Sequence, residues 1–460
     1  MLSAGTIVAL STPAGSGAIG VIRLSGKEAL EIVAPYFKTK KYKNLSDIPS
    51  NSNVFGQIIA PNNQLLDEVM LCIFRAPHSY TGEHVIEISC HGSPYIIQEL
   101  LQLFIQQGAL LAQPGEYTLR AFLNKKMDLS QAEAVADLIA SESKAAHQMA
   151  VQQMRGGYSK EIAHLRQQLL DFASLIALEL DFSEEDVEFA NRPQLVELLN
   201  QLEHKINGLA ASFAYGSVLK DGVPVAIAGK PNAGKSSLLN ALLNEDKAIV
   251  SAIAGTTRDS IEDLLVIDGI QFRFIDTAGL RETQDEIEAI GVNKALEHLK
   301  KATVILYVFD LNTTEPESLL QELKSIEQKT QKIILVGNKI DLVDNQAVQK
   351  FKFLNKQHVL QLLSTNNPKQ IDDLKSQIAN SMRFNANQGN IIISNVRHHQ
   401  ALTKALNAIV ATREGVINGL SEDLISIDLR EAIDFLGEVT GVVSTEDLLG
   451  NVFANFCIGK

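Results

Sequence analysis

Cysteine is scarce: three residues in 460, at positions Cys72, Cys90 and Cys457. So few thiols in so long a chain cannot form a disulfide framework, and a reducing compartment is expected. Long apolar runs are missing too. None approaches the roughly 18–20 residues needed to cross a bilayer, so no membrane span is expected. The first 22 residues contain neither Lys nor Arg, and Pro13, Gly15, Gly17 and Gly20 interrupt their small side chains. A secretory signal needs a basic start and an unbroken apolar helix, so the opening is read as folded chain and the protein as cytoplasmic. Positive charge is also in deficit. Lys and Arg number 41 against 54 Asp and Glu, a net charge of −13. That balance argues against a general nucleic-acid coat, whose affinity comes from neutralising phosphates, but leaves room for one structured RNA in a local basic pocket. Internal repeats and low-complexity tracts are absent.

What remains is globular in composition, 45% hydrophobic and 21% charged, and long enough for about three domains with separate cores. Four textures follow one another. Residues 1–125 alternate short β-like runs (Thr6–Leu10, Gly20–Leu24, Val85–Ser89) with Gly/Pro turns and one helix-like run, Tyr95–Gln106, which predicts a small α+β domain. A lysine-bearing polar loop over residues 38–53 interrupts it. Residues 126–221 change period. Val135, Leu138, Ile139, Met149, Met154, Ile162, Leu165, Leu169, Phe172 and Ile176 recur near every 3.6 residues, which predicts long amphipathic helices with the Met residues as core filler. The acidic run over residues 181–186 is read as a solvated helix junction.

Residues 222–383 alternate strand runs (Val223–Ala228, Ile261–Ile267, Gln271–Ile275, Val304–Phe309, Ile333–Val336, Val359–Leu363) with helical stretches. That order predicts a doubly wound, mostly parallel sheet. Helical periodicity returns over residues 384–460, in Ala401–Val416 and Leu424–Leu436. An α/β module between two helical stretches implies insertion into one helical domain.

The strongest motif follows the first strand of the module. Gly229-Lys230-Pro231-Asn232-Ala233-Gly234-Lys235-Ser236 fits the phosphate-loop pattern between strand and helix. Its glycines let backbone N–H groups close around phosphates, and the helix N-terminus adds positive potential. Lys235 is expected to reach the β and γ phosphates and the Ser236 hydroxyl to ligate Mg²⁺. Downstream, Gly255-Thr256-Thr257-Arg258-Asp259 offers Thr257 as a second Mg²⁺ ligand, and Asp276-Thr277-Ala278-Gly279 places a carboxylate behind the metal with Gly279 near the γ-phosphate. Asn338-Lys339-Ile340-Asp341 sets the base, because a carboxylate accepts from guanine N1–H and the 2-amino group, a donor pair that adenine lacks. Ser364-Thr365-Asn366 closes over it. Boxes in this order name GTP as the ligand.

Hydrolysis needs a group that orients water. The residue after Gly279 is Leu280, which cannot polarise water as the usual glutamine does. Arg281, Glu282, Glu286 and Glu288 lie just beyond, and spacing alone does not choose among them. Arg258, Arg281 or a monovalent ion could offset charge between the β and γ phosphates, and Asn232, with a hard side-chain oxygen inside the phosphate loop, favours the ion.

Outside the GTPase boxes stand Thr6-Ile7-Val8-Ala9 with Ala18-Ile19-Gly20-Val21-Ile22-Arg23, Tyr80-Thr81-Gly82-Glu83 and His91-Gly92, and Pro114-Gly115-Glu116 with Arg120-Ala121-Phe122-Leu123-Asn124. With these the whole chain resembles the MnmE (TrmE) family of tRNA-modification GTPases. The GTPase boxes and the terminal Cys457-Ile458-Gly459-Lys460 add to the likeness. The resemblance implies an N-terminal α+β folate-binding and dimerisation domain, a helical domain, and an inserted P-loop GTPase domain. It implies a homodimer that acts with a flavin-containing partner, MnmG (GidA), in a heterotetramer on tRNA. The product is an aminomethyl-type group on C5 of the wobble uridine, its carbon drawn from 5-formyltetrahydrofolate or a related reduced folate.

Carried over by position, the resemblance implies folate contacts at Arg23, Glu87, Lys126 and Lys460. It implies K⁺ ligands at Asn232, Ser251, Ile253 and Thr256, and water positioning by Glu288. Guanine-nucleotide contacts fall on Asn232, Ala233, Gly234, Lys235, Ser236 and Ser237, and on Ser251, Ala252, Ile253, Ala254, Gly255, Thr256 and Thr257. They continue at Asp276, Thr277, Ala278 and Gly279, at Asn338, Lys339, Ile340 and Asp341, and at Ser364, Thr365 and Asn366. Cys457 reads either as a thiol buried at a helix end or as a reactive thiol near the folate; Gly459 and Lys460 do not fit a prenylation box. Two other readings compete: an Era- or Der-like GTP switch on ribosomal RNA, and a nucleotide-gated scaffold whose N-terminal domain only dimerises. How an acidic chain holds RNA stays open, with the flavin partner expected to supply much of the basic surface.

Overall fold

The computed structural model describes residues 5–181, 191–244, 263–275, 299–326, 331–356, 358–382, 392–454 and 456–459. They form two compact units, one of residues 1–140, 150–204 and 401–460, the other of residues 141–149 and 205–400.

The first unit begins with a seven-stranded sheet: β1 Ile7–Leu10, β2 Ile19–Ser25, β3 Phe37–Lys38, β4 Ser52–Ile59, β5 Leu65–Phe74, β6 Val85–His91 and β7 Leu110–Leu111. The order is β3-β4-β5-β6-β2-β1-β7. Neighbours run antiparallel except the β1–β7 pair at one edge. Alternate side chains of the strands fill one face, where Ile22, Leu24, Leu71, Ile86 and Ile88 meet Leu100 and Phe104 of the helix Pro94–Gln106. The opposite face carries Ile19, Phe55 and Met70, all exposed, beside Arg23 and Glu87. Residues 38–53 are mostly loop, as the polar run predicts, with one 3₁₀ turn at Leu45–Asp47.

The same unit holds helices from both sides of the α/β segment. Ser159–Asp181 packs on Glu422–Thr440, where Arg166 Nε donates to Ile433 O at 3.2 Å. Arg192 bridges Glu179 at 2.8 Å and Glu422 at 2.7 Å. Ile162, Leu165, Leu169 and Ile176 are buried as their spacing predicts, but Ile139 and Met154 are exposed. Both stand at helix ends, Ala140 closing one helix and Met154 the next, so the periodic stripe runs past the core there. Met149, in the second unit, is only half-buried, so neither it nor Met154 is a fully buried filler.

The second unit is built on a six-stranded sheet: β8 Val223–Ala228, β9 Asp263–Ile267, β10 Ile270–Phe274, β11 Val304–Asp310, β12 Lys332–Asn338 and β13 Val359–Leu362, ordered β13-β12-β11-β8-β10-β9. All pairs are parallel except the β9–β10 hairpin. Both faces are covered, one by helices Lys235–Asn244 and Pro368–Ser381, the other by Pro316–Ile326. That explains why the central strands read as unbroken apolar runs. The observed architecture is the expected one: an α+β sheet domain, helices, and a P-loop-type α/β domain.

Candidate functional site

The phosphate loop lies where the sequence predicts, between β8 and the helix Lys235–Asn244. Two glycines permit it. Gly229 sits at φ +141°, and a Cβ there would come within 2.0 Å of Val308 O; Gly234 sits at φ +97°, where a Cβ would lie 2.1 Å from Asn338 Nδ2. The Lys235 ammonium donates to Gly229 O at 2.9 Å and Lys230 O at 2.8 Å. Burial lowers its pKa from the ordinary 10.5 by disfavouring the charged form. Ser236 is half-buried in the first helical turn, and Ser237 is exposed. Asn232 is exposed and left-handed at φ 62°.

The loop expected to recognise guanine leaves the C-terminal end of β12, the end at which parallel sheets bind ligands. Asn338, 2% exposed, donates from Nδ2 to Ala233 O at 3.0 Å and accepts at Oδ1 from Lys339 N–H at 2.8 Å. One side chain therefore ties the phosphate loop to the base loop. Lys339, at φ 63°, donates to Asn232 O at 3.2 Å and pairs with Asp310 at 2.7 Å. Ile340 N–H reaches Leu363 O at 3.2 Å, and Ser364 N–H reaches Gln370 Oε1 at 2.8 Å, so the last two boxes are held side by side. Thr365 is half-buried; Asp341 and Asn366 are exposed. Ser251, Ala252, Ile253, Ala254, Gly255, Thr256, Thr257, Asp276, Thr277, Ala278, Gly279 and Glu288 lie outside the described residues.

Of the four expected folate positions, the structure joins two. Arg23 and Glu87 face each other on β2 and β6, bonded through Nε at 2.9 Å and NH2 at 2.7 Å. Glu87 thus already accepts from Arg23. The guanidinium also donates to Gly459 O at 3.2 Å and stands 5.9 and 5.6 Å from the Tyr80 and Tyr117 rings. Lys126 donates instead to Pro77 O at 3.0 Å, and Lys460 lies outside the described residues. The tail reaches this place because Gly459 has no side chain: a Cβ would lie 2.3 Å from Leu10 O. Cys457 is exposed, three residues beyond the helix Glu446–Ala454. That corrects the reading of a thiol buried at a helix end, since the last helical turn buries Phe453 instead.

Residues 129–457 match the family model of the MnmE helical domain, and residues 6–126 that of the GTP-binding protein TrmE N-terminus. The chain belongs to the MnmE family. It is 51% identical over 469 residues to the tRNA modification GTPase MnmE of Flavobacterium johnsoniae, covering 100% of both chains. To that of Christiangramia forsetii it is 50% identical over 470 residues, covering 99% of each. To that of Cytophaga hutchinsonii it is 48% identical over 456 residues, covering 99% of this chain and 98% of that one. A solved Era structure, bound to MgGDPNP and nucleotides 1506–1542 of 16S ribosomal RNA, aligns over 40% of this chain and 65% of that one. Its identity is 26% and its TM-score 0.27.

Sequence reasoning missed two supports of the nucleotide loops and one of the N-terminal sheet domain in this MnmE-family chain. Asp310 ends β11 as its one charged residue, a signal available in the sequence, and it anchors Lys339. Glu322 pairs with Lys230 at 2.6 Å and accepts from Tyr307 at 2.5 Å and Ser318 at 3.0 Å, fastening the phosphate loop to a neighbouring strand and helix. A buried group joins Arg120 to Glu83 at 3.1 Å and Glu116 at 2.9 Å, with Ser25 donating to Glu83 at 2.7 Å. It makes Glu83 and Arg120 structural.

Proposed function

We propose that this chain hydrolyses GTP to drive modification of tRNA in the cytoplasm. It is a K⁺-dependent GTPase, activated when two G domains of a homodimer pair. With the flavin-containing MnmG (GidA) it forms a heterotetramer that places a (carboxymethyl)aminomethyl group on C5 of the wobble uridine. A reduced folate such as 5-formyltetrahydrofolate supplies the one-carbon unit, and glycine or ammonium the nitrogen.

The observation that carries the reading is the Asn338–Ala233 bond at 3.0 Å. It couples base choice to phosphate binding in a chain about half identical, end to end, to tRNA modification GTPases. Asp341 accepts from guanine, Lys235 donates to the β and γ phosphates, and loop N–H groups hold their oxygens. Water attacks the γ-phosphorus, the bond to the bridging oxygen breaks, and GDP and phosphate leave. Glu288 orients that water, through a second water.

Ser236 and Thr257 would hold Mg²⁺, and Asn232, Ser251, Ile253 and Thr256 would hold K⁺. Bound there, the two ions offset charge that develops on the phosphates. Asn232 fits this role, being exposed at the loop with a hard oxygen donor. Arg23, Glu87, Lys126 and Lys460 would hold folate. Arg23 fits: it stands within 6 Å of two tyrosine rings, at 5.9 and 5.6 Å, and its neighbour Gly459 brings the exposed Cys457 two residues away as a thiol for the modification. The exposed Ile19, Phe55 and Met70 support pairing of N-terminal sheets. A ribosomal-RNA switch would need neither the matched N-terminal domain nor the matched helical domain.

Turnover in KCl against NaCl at equal ionic strength tests this. GTP hydrolysis should be about tenfold or more faster in K⁺; equal rates would remove the ion from the mechanism.

A further inference from the structure

The loop leaving β3 carries Lys38, Lys40, Lys41 and Lys43 in six residues, with no carboxylate among them. In a chain of net charge −13 such a cluster stands out. All four side chains are exposed, and among the described residues none forms an ion pair.

The loop is firmly mounted. Phe37, Leu45 and Ile48 are buried at its ends, and Tyr42 packs half-buried against the same core. Thr39 Oγ1 donates to Phe55 O at 2.8 Å and accepts from Lys41 N–H at 3.3 Å. Gly56 lets this edge lie close, since a Cβ there would come within 2.5 Å of Lys38 O and the Phe37 ring. Asp47, the nearest carboxylate along the chain, is occupied by the Asn44 N–H and side-chain amide, both at 3.2 Å. The ammonium groups are therefore presented from a fixed backbone with no ion pair among the described residues.

Edge lysines can serve only to block strand pairing. Lys38, on the two-residue β3, answers to that purpose. Lys40, Lys41 and Lys43 lie beyond the strand, and a chain so strongly charged gains no solubility from partly cancelling its own charge.

We propose that this loop is the chain's own contact with the phosphate backbone of the tRNA. The inference rests on the proposed tRNA function and deepens it. Four ammonium groups on a fixed loop offer sequence-independent neutralisation of successive phosphates, setting position while base recognition falls elsewhere.

The test replaces all four by glutamine (Lys38→Gln, Lys40→Gln, Lys41→Gln, Lys43→Gln) in the full chain. Affinity for a tRNA transcript is measured with and without the flavin partner, from about 50 to about 200 mM KCl. The slope of log affinity against log salt should flatten by about three, so the wild type loses roughly 60-fold more affinity across that range. A Lys→Arg quadruple variant should keep the wild-type slope, and GTP turnover without tRNA should be unchanged in both. An unchanged slope in the glutamine variant overturns the proposal and leaves the tRNA function intact. So does loss of flavin-partner binding with tRNA affinity preserved, which would assign the loop to a protein. If the wild type binds no tRNA in either form, the tRNA function itself fails.

Discussion

Replacing Gly234 by alanine strikes the junction of the phosphate and base loops. The residue sits at φ +97°, and its new Cβ would lie 2.1 Å from Asn338 Nδ2. A left-handed conformation costs an L-residue about 1–2 kcal/mol. The clash is not with a flexible tip: Asn338 is 2% exposed and donates to Ala233 O at 3.0 Å. Displacing it breaks that bond and strands a buried amide, at about 1–3 kcal/mol. The total, about 2–5 kcal/mol, falls on the loop conformation that receives GTP, and so weakens binding roughly 30- to 5,000-fold. Titration with a fluorescent GTP analogue reads the effect, and urea unfolding checks that the fold survives. Gly208→Ala is the control. It lies in the helix Arg192–Asp221 with nothing within 4 Å of its would-be Cβ. It should leave GTP affinity unchanged and stabilise by about 0.5–1 kcal/mol. If Gly234→Ala binds GTP within about threefold of wild type, the coupling through Asn338 is wrong.

Thiol reactivity separates the three cysteines. Cys457 is exposed, whereas burial raises Cys72 and pushes Cys90 up to about 11. At about pH 8 Cys90 is thiolate in roughly one molecule per thousand. Iodoacetamide should therefore label Cys457 first and leave Cys90 unmodified while folded; early labelling of Cys90 on peptide mapping would contradict this burial. Glu322 gives a pH signature. Burial alone would raise its pKa, but hydrogen bonds from Lys230, Tyr307 and Ser318 outweigh it and hold the carboxyl below the ordinary 4.5. A depressed folded pKa stabilises above 4.5 and loses that contribution as pH falls through the folded value. The stability gap between wild type and Glu322→Gln should accordingly hold above pH 4.5 and shrink as the pH falls below it in urea melts, and a constant gap would refute the role.

The α/β segment was the most legible part of the sequence, for a physical reason. Strands such as Val304–Asp310 and Lys332–Asn338 are buried on both faces, so they read as apolar runs whose ends lie within a residue or two of expectation. The β4–β5 hairpin was not legible. Its outward positions carry Phe55, Leu65 and Met70, while an inward position carries Asp67, buried and bonded to His91 at 2.7 Å. Those exchanges erase the alternation that marks a half-buried strand. The nine-residue helix Glu446–Ala454 is too short to show a period. Among site residues, the motif boxes declared themselves because phosphate and guanine chemistry restrict residue types. The supports did not. The carbonyl of Gly459 meets Arg23 across 436 positions, and a main-chain contact leaves no trace in side-chain pattern.

Mass analysis of the wobble nucleoside is the most direct measurement of what this chain is for. Purified chain, flavin partner, GTP, reduced folate, unmodified tRNA and a nitrogen donor (glycine or ammonium) in K⁺ buffer should yield an aminomethyl-type group on C5 of that uridine. The yield should vanish without GTP or with Lys235→Ala. Unmodified uridine after sustained GTP hydrolysis, or full modification without GTP, would contradict the account.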